Sequence, residues 1–216
     1  NTVANDTMSI TLCTALSGTY TIGSSGDYTT FNDAVNAMLS CGISGPVTFN
    51  VSAGTFNERV VLPEIIGASS TNTITFKGQD AATTKLSYSG TNSSNRATVV
   101  FDGGDYYRFR DMTIENNGSS YAATVLFTSS ADYNRIEDCN LNVPTSSSSS
   151  NIVNIYASSN ESSVSSSGDN GNYNVIEDCN IDGGYYGAYY YGGGSSNNSL
   201  GNEFIGNTFT NQYYYG

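Results

Sequence analysis

Short apolar segments of the form apolar-x-aromatic or apolar-x-aliphatic recur along the chain: Val47-Thr-Phe49, Ile74-Thr-Phe76, Val99-Val-Phe101, Val125-Leu-Phe127, Val153-Asn-Ile155 and Ala188-Tyr-Tyr190. Their last positions are 27, 25, 26, 28 and 35 residues apart. A second series runs offset from the first: Phe109-Arg-Asp111-Met112-Thr-Ile114, Ile136-Glu-Asp138-Cys139-Asn-Leu141, Ile176-Glu-Asp178-Cys179-Asn-Ile181 and Phe204-Ile-Gly206-Asn207-Thr-Phe209, spaced 27, 40 and 28. The spacing of 40 contains the Ser/Asn/Gly-rich stretch 158–172, which reads as an inserted, protruding loop. Removing about a dozen residues there restores the common period.

A period in the mid-twenties, with several short strands and no helical pattern per unit, predicts one turn of a parallel β-helix. Each coil then stacks in register on the next at about 4.8 Å. The second series also predicts a corner. Apolar residues of a strand alternate with period two, yet Phe109 and Met112, Ile136 and Cys139, and Ile176 and Cys179 are three apart. The extra position is held by Asp111, Asp138, Asp178 and Gly206, residue types that tolerate a left-handed backbone. The interior then carries Phe109, Met112, Ile114 and their counterparts. Ahead of the coils, Thr30-Phe-Asn-Asp33 has the form of a capping box. Phe31, Ala34, Val35, Met38 and Leu39 follow at amphipathic spacing and predict a helix over 31–40 that plugs the open end of the stack. The expected fold is all-β: a solenoid of about six coils in one domain, with a cap region 1–45 and coils over 46–216. The chain stops in Asn211-Gln-Tyr-Tyr-Tyr-Gly216, which reads as mid-coil and predicts that the full-length protein continues beyond 216.

Composition narrows the chemistry. Of 216 residues, only 7 are Lys or Arg against 19 Asp or Glu, a formal charge of −12, and the seven cations are scattered. That excludes a phosphate-reading nucleic-acid surface. No apolar run approaches the roughly 20 residues of a spanning helix, so membrane insertion is not expected. His is 0, which removes imidazole bases, His-based triads and most zinc sites. The chain has neither an initiator Met nor a signal peptide, as expected of a processed mature chain or a fragment.

Four cysteines form two pairs by position. Cys13 and Cys41 flank the cap and are expected to form a disulfide, worth roughly 3–4 kcal/mol on a loop-entropy basis. Cys139 and Cys179 occupy one place in successive coils and are expected as a buried thiol stack beside Met112, with a bridge between them as the alternative that their separation does not forbid. No Cys-x-x-Cys spacing supports a metal site, and no base is available for a catalytic thiol. Glu137-Asp138 and Glu177-Asp178 have the chemistry for acid/base work or for a surface Ca²⁺; the competing reading makes the Asp residues corners and points the Glu residues to solvent. The run Tyr185-Tyr186-Gly-Ala-Tyr189-Tyr190-Tyr191, with Tyr213 to Tyr215, suits stacking on sugar rings, with Tyr185, Tyr186, Tyr189 and Tyr191 as the ligand-binding candidates. Ordinary β-sheet use of tyrosine is the alternative, and Tyr190 is expected inside.

Gly18-Thr-Tyr-Thr-Ile-Gly23, Gly26-Asp-Tyr-Thr-Thr-Phe31, Gly42-Ile-Ser-Gly-Pro-Val47 and Gly54-Thr-Phe-Asn-Glu58, closing with Ile74-Thr-Phe76, resemble the opening of pectin-lyase-like β-helix modules. The likeness is closest to modules of large secreted or cell-surface proteins of Bacteroidetes exported by the type IX system. It implies a right-handed parallel β-helix, a secreted location, and a place for the Asp6-Thr7-Met8 O-glycosylation pattern at Thr7. The opening is also similar to pectin methylesterases, whose Gly-x-Tyr-x-Glu signature reads here as Gly54-x-Phe56-x-Glu58. Beyond it the enzyme pattern fails. Ala122-Ala-Thr-Val-Leu126 lacks the glutamine of Gln-Ala-Val-Ala-Leu, Asn142-Val-Pro-Thr145 lacks the acid of Gln-Asp-Thr-Leu, and the Asp-Phe-Ile-Phe-Gly and Arg-Pro-Trp motifs have no match.

The leading expectation is therefore a non-catalytic surface module, a spacer or adhesin contacting polysaccharide or another surface, with no catalytic residue, resident metal or cofactor assigned. An esterase or lyase of the same superfamily is the alternative, with Arg108, Arg110 and Arg135 lining one face but no flanking acid cluster. A subunit that self-associates end to end through its last coil is the third.

Overall fold

The computed structural model describes residues 13–145, 147–168, 170–193 and 199–216. Thr7 lies outside them. The chain winds through three walls, and every pairing between named strands is parallel. One coil runs from Tyr107–Arg110 in a seven-stranded sheet to Thr113–Asn116 in a six-stranded sheet and on to Ala123–Thr128 in a five-stranded sheet. About six such coils stack along the axis, with Leu16–Ile22 adding the first strand of the seven-stranded wall. The parallel solenoid read from the repeat period is the fold observed.

The first apolar series merges two walls. Phe49 pairs with Phe76, and Phe76 with Phe109, on the seven-stranded sheet. Leu62, Phe101, Phe127, Ala157 and Tyr190 form a separate row on the five-stranded sheet. Every inward-facing strand alternates in the same way whichever wall it belongs to, so a local pattern cannot assign the wall; only strand pairing does. Inside, Phe49, Phe76 and Phe109 stack with centroids 5.1 and 5.0 Å apart, and Phe101 stacks on Phe127 at 4.8 Å. All five rings are fully buried, so the core is a set of aromatic and aliphatic columns parallel to the axis.

Two corners repeat with left-handed backbone. Between the seven- and six-stranded walls, Asp111, Asp138, Asp178 and Gly206 have φ of 56°, 54°, 50° and 64°. At Gly206 a Cβ would sit 2.1 Å from Asp178 Oδ1, so glycine supplies space as well as conformation. Just before the seven-stranded wall a second corner holds Tyr106, Tyr133 and Tyr173 at φ of 60°, 58° and 57°, continued by Gly201 at 63°. Tyrosine there is costly on backbone grounds alone. A buried asparagine ladder holds the turn. Asn134 N donates to Asn174 Oδ1 and Asn174 N to Asn202 Oδ1, both at 2.9 Å, while Tyr107 N donates to Asn134 Oδ1. The Asn134 and Asn174 amides donate back to the carbonyls of Gly104 and Ala131. Beside it, Asp105 Oδ1 accepts from Asp132 N at 2.7 Å.

The cap is the helix α1, Phe31–Cys41, with both hydrogen bonds of the Thr30/Asp33 capping box formed. Phe31, Ala34, Val35 and Met38 are buried, whereas Leu39, grouped with them by spacing, is exposed. Phe31 lies 5.3 Å from Phe76 and 5.4 Å from Phe56, closing the end of the aromatic column. Cys13 and Cys41 are disulfide-bonded with Cα atoms 5.5 Å apart, tying the chain ahead of the first strand to the end of α1. Cys139 and Cys179 are free, buried thiols, and burial pushes the Cys139 thiol up.

Two outcomes are expected from the corners. Asp138→Val should lower unfolding free energy by about 1–2 kcal/mol while Asp138→Gly stays near wild type, read from denaturant midpoints, because only the β-branched residue resists positive φ. Burial holds the Asp105 carboxyl above its ordinary range, with Asp132 and Glu64 adding repulsion against the opposing hydrogen bond from Asp132 N. A raised carboxyl pKa costs stability above the folded pKa, and that cost disappears as pH falls toward the unfolded value of 3.8. Asp105→Asn, which keeps the acceptor, should therefore be the more stable protein at pH 7 and lose its advantage by about pH 4.

Candidate functional site

The outward face of the five-stranded wall is unusually apolar. One row along it reads Val61, Val100, Leu126, Tyr156 and Tyr189, and a second reads Ala97, Ala123, Val153 and Tyr186. Val100, Leu126, Val153 and Tyr156 are nonetheless buried, because the inserted segment folds back over them. The expectation of a protruding loop is thus corrected for its described part: it is a strap. Glu161 fastens it, accepting from Ala97 N at 3.1 Å and pairing with Arg59. The nearly buried Arg96 donates to Ser162 O at 3.0 Å and lies over the rings of Tyr121 and Tyr156. Tyr156 donates to Glu161 O, and Ser158 Oγ to Ser163 O. An apolar outward row in water requires such a cover, and a Ser-rich segment supplies hydroxyls that close its own backbone bonds. A shallow hollow of about 330 Å³ remains at the strap's edge, lined by Arg59, Val61, Asp102, Leu126, Ser129 and Glu161 among others. There Ser129 Oγ donates to Asp102 at 2.6 Å.

Beyond the strap the same face ends in tyrosine. Tyr186 and Tyr189 extend the outward rows with centroids 4.7 Å apart. Tyr185 meets Tyr186 edge-on at 4.7 Å and stacks on Tyr213 and Tyr214 at 5.5 and 5.3 Å. Tyr215 lies parallel to Tyr186 at 6.3 Å, and Tyr191 parallel to Tyr189 at the same distance. Tyr191, Tyr213, Tyr214 and Tyr215 are exposed, while Tyr185, Tyr186 and Tyr189 are half-buried. The four tyrosines singled out by sequence therefore meet in one patch, which the chain's last tyrosines enlarge. Tyr190 turns inward against Phe127 and Phe204, and burial pushes its hydroxyl up.

The acid pairs belong to the seven-stranded wall. Asp138 and Asp178 are corners. Glu137 and Glu177 do not simply face solvent: Arg110 reaches Glu137 at 3.1 Å and Asp111 at 3.1 Å, while Arg135 pairs with Glu137 at 2.8 Å and with Glu177. This corrects two expectations. The arginines are flanked by acids, and the cations are not scattered, since Lys77, Arg108, Arg110 and Arg135 share one outward face. Alternating signs remove the carboxylate repulsion that a bare acid ladder would carry. Among the described residues, no group of three or more His, Cys, Asp or Glu is placed to hold a metal.

Glu58, the acid of the Gly54-x-Phe56-x-Glu58 signature, has a structural task. Its carboxylate accepts from Phe31 N at 2.9 Å, Asn32 N at 3.0 Å and Asn32 Nδ2 at 2.6 Å, so it anchors the first turn of the cap helix to the coil below.

No protein-family model matches the chain, and no curated protein matches it. Solved structures do. Pectin methylesterase PemA from Erwinia chrysanthemi is 16% identical with a TM-score of 0.52, covering 80% of this chain and 49% of that one. A pectin methylesterase from Aspergillus niger is 18% identical with a TM-score of 0.55, covering 83% and 56%. A pectin methylesterase variant in complex with a hexasaccharide is 15% identical with a TM-score of 0.53, covering 80% and 49%. The chain thus has the parallel β-helix fold of pectin methylesterases and spans about half the length of these proteins. Among the described residues no helix is long and apolar enough to cross a membrane.

Glu58→Ala should cost about 1–3 kcal/mol, because it leaves helix N–H donors unpaired beneath the cap. The loss should appear first as faster hydrogen exchange in 31–41, ahead of the coils.

Proposed function

We propose that this chain is a non-catalytic β-helix module that contacts polysaccharide through the tyrosine patch formed by Tyr185, Tyr186, Tyr189, Tyr191 and Tyr213 to Tyr215. The observation that carries the reading is the state of the outward face beside it. Most of that face is occupied by the chain's own strap, and what stays open is an aromatic surface with phenolic hydroxyls. Aromatic faces pack on the C–H faces of sugars while hydroxyls bond at the rim. The disulfide and the sparse, acidic surface support a secreted or cell-surface setting, for which export by the type IX route and modification at Thr7 are part of the same proposal. A surface Ca²⁺ near the corner acids is retained only as a minor addition to it.

A second reading, a polysaccharide esterase, is favoured by the solved structures that share the fold. Against it stand Glu58, spent on the cap, and Arg110 and Arg135, spent on ion pairs. End-to-end self-association draws support from the exposed Phe204 and Ile205 on the strand Glu203–Ile205; sedimentation velocity over a hundredfold concentration range tests it.

Titration with neutral plant and bacterial oligosaccharides should give weak binding that Tyr186→Ala together with Tyr214→Ala reduces by about tenfold or more. Unchanged binding in that variant removes the patch reading. Release of methanol or acetate from a pectic substrate by the wild-type chain would replace it with the esterase.

A further inference from the structure

The positive-φ tyrosines Tyr106, Tyr133 and Tyr173 form a column outside the core, on a different wall from the patch above. Their rings stack at 5.1 and 5.0 Å with planes within 2° and 7° of parallel. The far face of Tyr173 lies against Gly201, where an added Cβ would stand 2.4 Å from the ring. Both faces of the Tyr133 and Tyr173 rings are therefore covered, yet Tyr133 is 46% and Tyr173 47% exposed. What they present to water is edges and hydroxyls. A ring edge is the positive rim of the aromatic quadrupole, and a phenol is a hydrogen-bond donor.

These edges line a hollow of about 210 Å³ whose other walls include Ser70, Thr73, Arg108 and Arg135. Arg135 is held by Glu137 and Glu177. Arg108 is exposed, and among the described residues no carboxylate lies within ion-pair distance of it. In a chain of net charge −12, one small recess thus combines an unpaired guanidinium, positive ring edges, phenols and two aliphatic hydroxyls. Neutral sugar stacking would need ring faces, and those of the exposed Tyr133 and Tyr173 are taken.

We propose that this recess binds a single anionic sugar unit, its carboxylate or sulfate on Arg108 and its ring hydroxyls on the tyrosine edges and the Ser70/Thr73 rim. The size suits one unit, since the hollow is smaller than the 300–1,000 Å³ typical of larger ligands. Selectivity follows from charge: Glu137 and Glu177 next to Arg135 leave Arg108 as the open cationic contact. The proposal does not depend on the tyrosine patch of the five-stranded wall.

The test is calorimetric titration of the whole chain with three oligosaccharides of one backbone: sulfated, carboxylated and uncharged. One or both charged forms should bind more tightly than the uncharged parent, by a margin that Arg108→Gln removes, and that margin should shrink steeply with added salt. Arg108→Gln should weaken binding by about tenfold or more, the loss of one charge-assisted contact. Tyr173→Phe keeps the stack and should weaken it less. The stronger charged form identifies the anion. Equal binding of the uncharged parent, wild-type affinity in Arg108→Gln, or no binding of either charged form at millimolar concentration overturns the proposal. Because Arg108 is exposed, its substitution leaves folding intact, and a thermal melt matching wild type checks this.

Discussion

The interaction on which everything else depends is the hydrogen-bonded coupling of each coil to the next. In a parallel solenoid a strand's N–H and C=O groups point along the axis, so every coil must reproduce the backbone path of its neighbour or leave buried groups unpaired. That demand explains why unusual conformations recur in columns. Asp111, Asp138 and Asp178 share one left-handed corner, and Tyr106, Tyr133 and Tyr173 share another. A lone tyrosine at positive φ would be a local strain; three in register are tolerable because the asparagine ladder of Asn134, Asn174 and Asn202 closes the same turn each time.

The same repetition aligns side chains, and it does different work on each surface. Inside, it builds columns of phenylalanine, closed at one end by Phe31 of the cap. On the seven-stranded wall it alternates Arg110 and Arg135 with Glu137 and Glu177, neutralising a ladder that would otherwise repel itself. On the five-stranded wall it makes an apolar outward row too long to leave in water. The strap anchored by Glu161, Arg59 and Arg96 is the consequence, and the tyrosines that extend the row past it form the open patch. Occupied and open surface on that wall are two results of one packing requirement.

Reading the fold from sequence succeeded where periodicity carries the information. The mid-twenties repeat, the Asp/Gly corners and the capping box at Thr30 are local or strictly repeated, and each is observed. The tyrosines of the patch were legible as a run. Their grouping with Tyr213 to Tyr215 was legible as composition, but which rings meet was not, because that depends on the bridge between Tyr186 and Tyr215 one coil later. The asparagine ladder had a visible signal, the shared Tyr-Asn-x-Ile-Glu-Asp-Cys-Asn of 133–140 and 173–180, yet its function is invisible until the amides are seen donating to carbonyls of the preceding turn.

By itself, then, the chain's pattern determined that it winds as a stack of short parallel strands, where it bends, and which end is plugged, since these follow from spacing and from residues that accept left-handed backbone. Only the tertiary structure decided which wall each strand joins, that the Ser-rich insertion lies down over apolar side chains, that four of the seven cations share a face, and that Glu58 holds a helix. The reason is physical: alternation repeats identically on every wall, while the partner of a strand, an arginine or a carboxylate lies a full coil away and is chosen by packing.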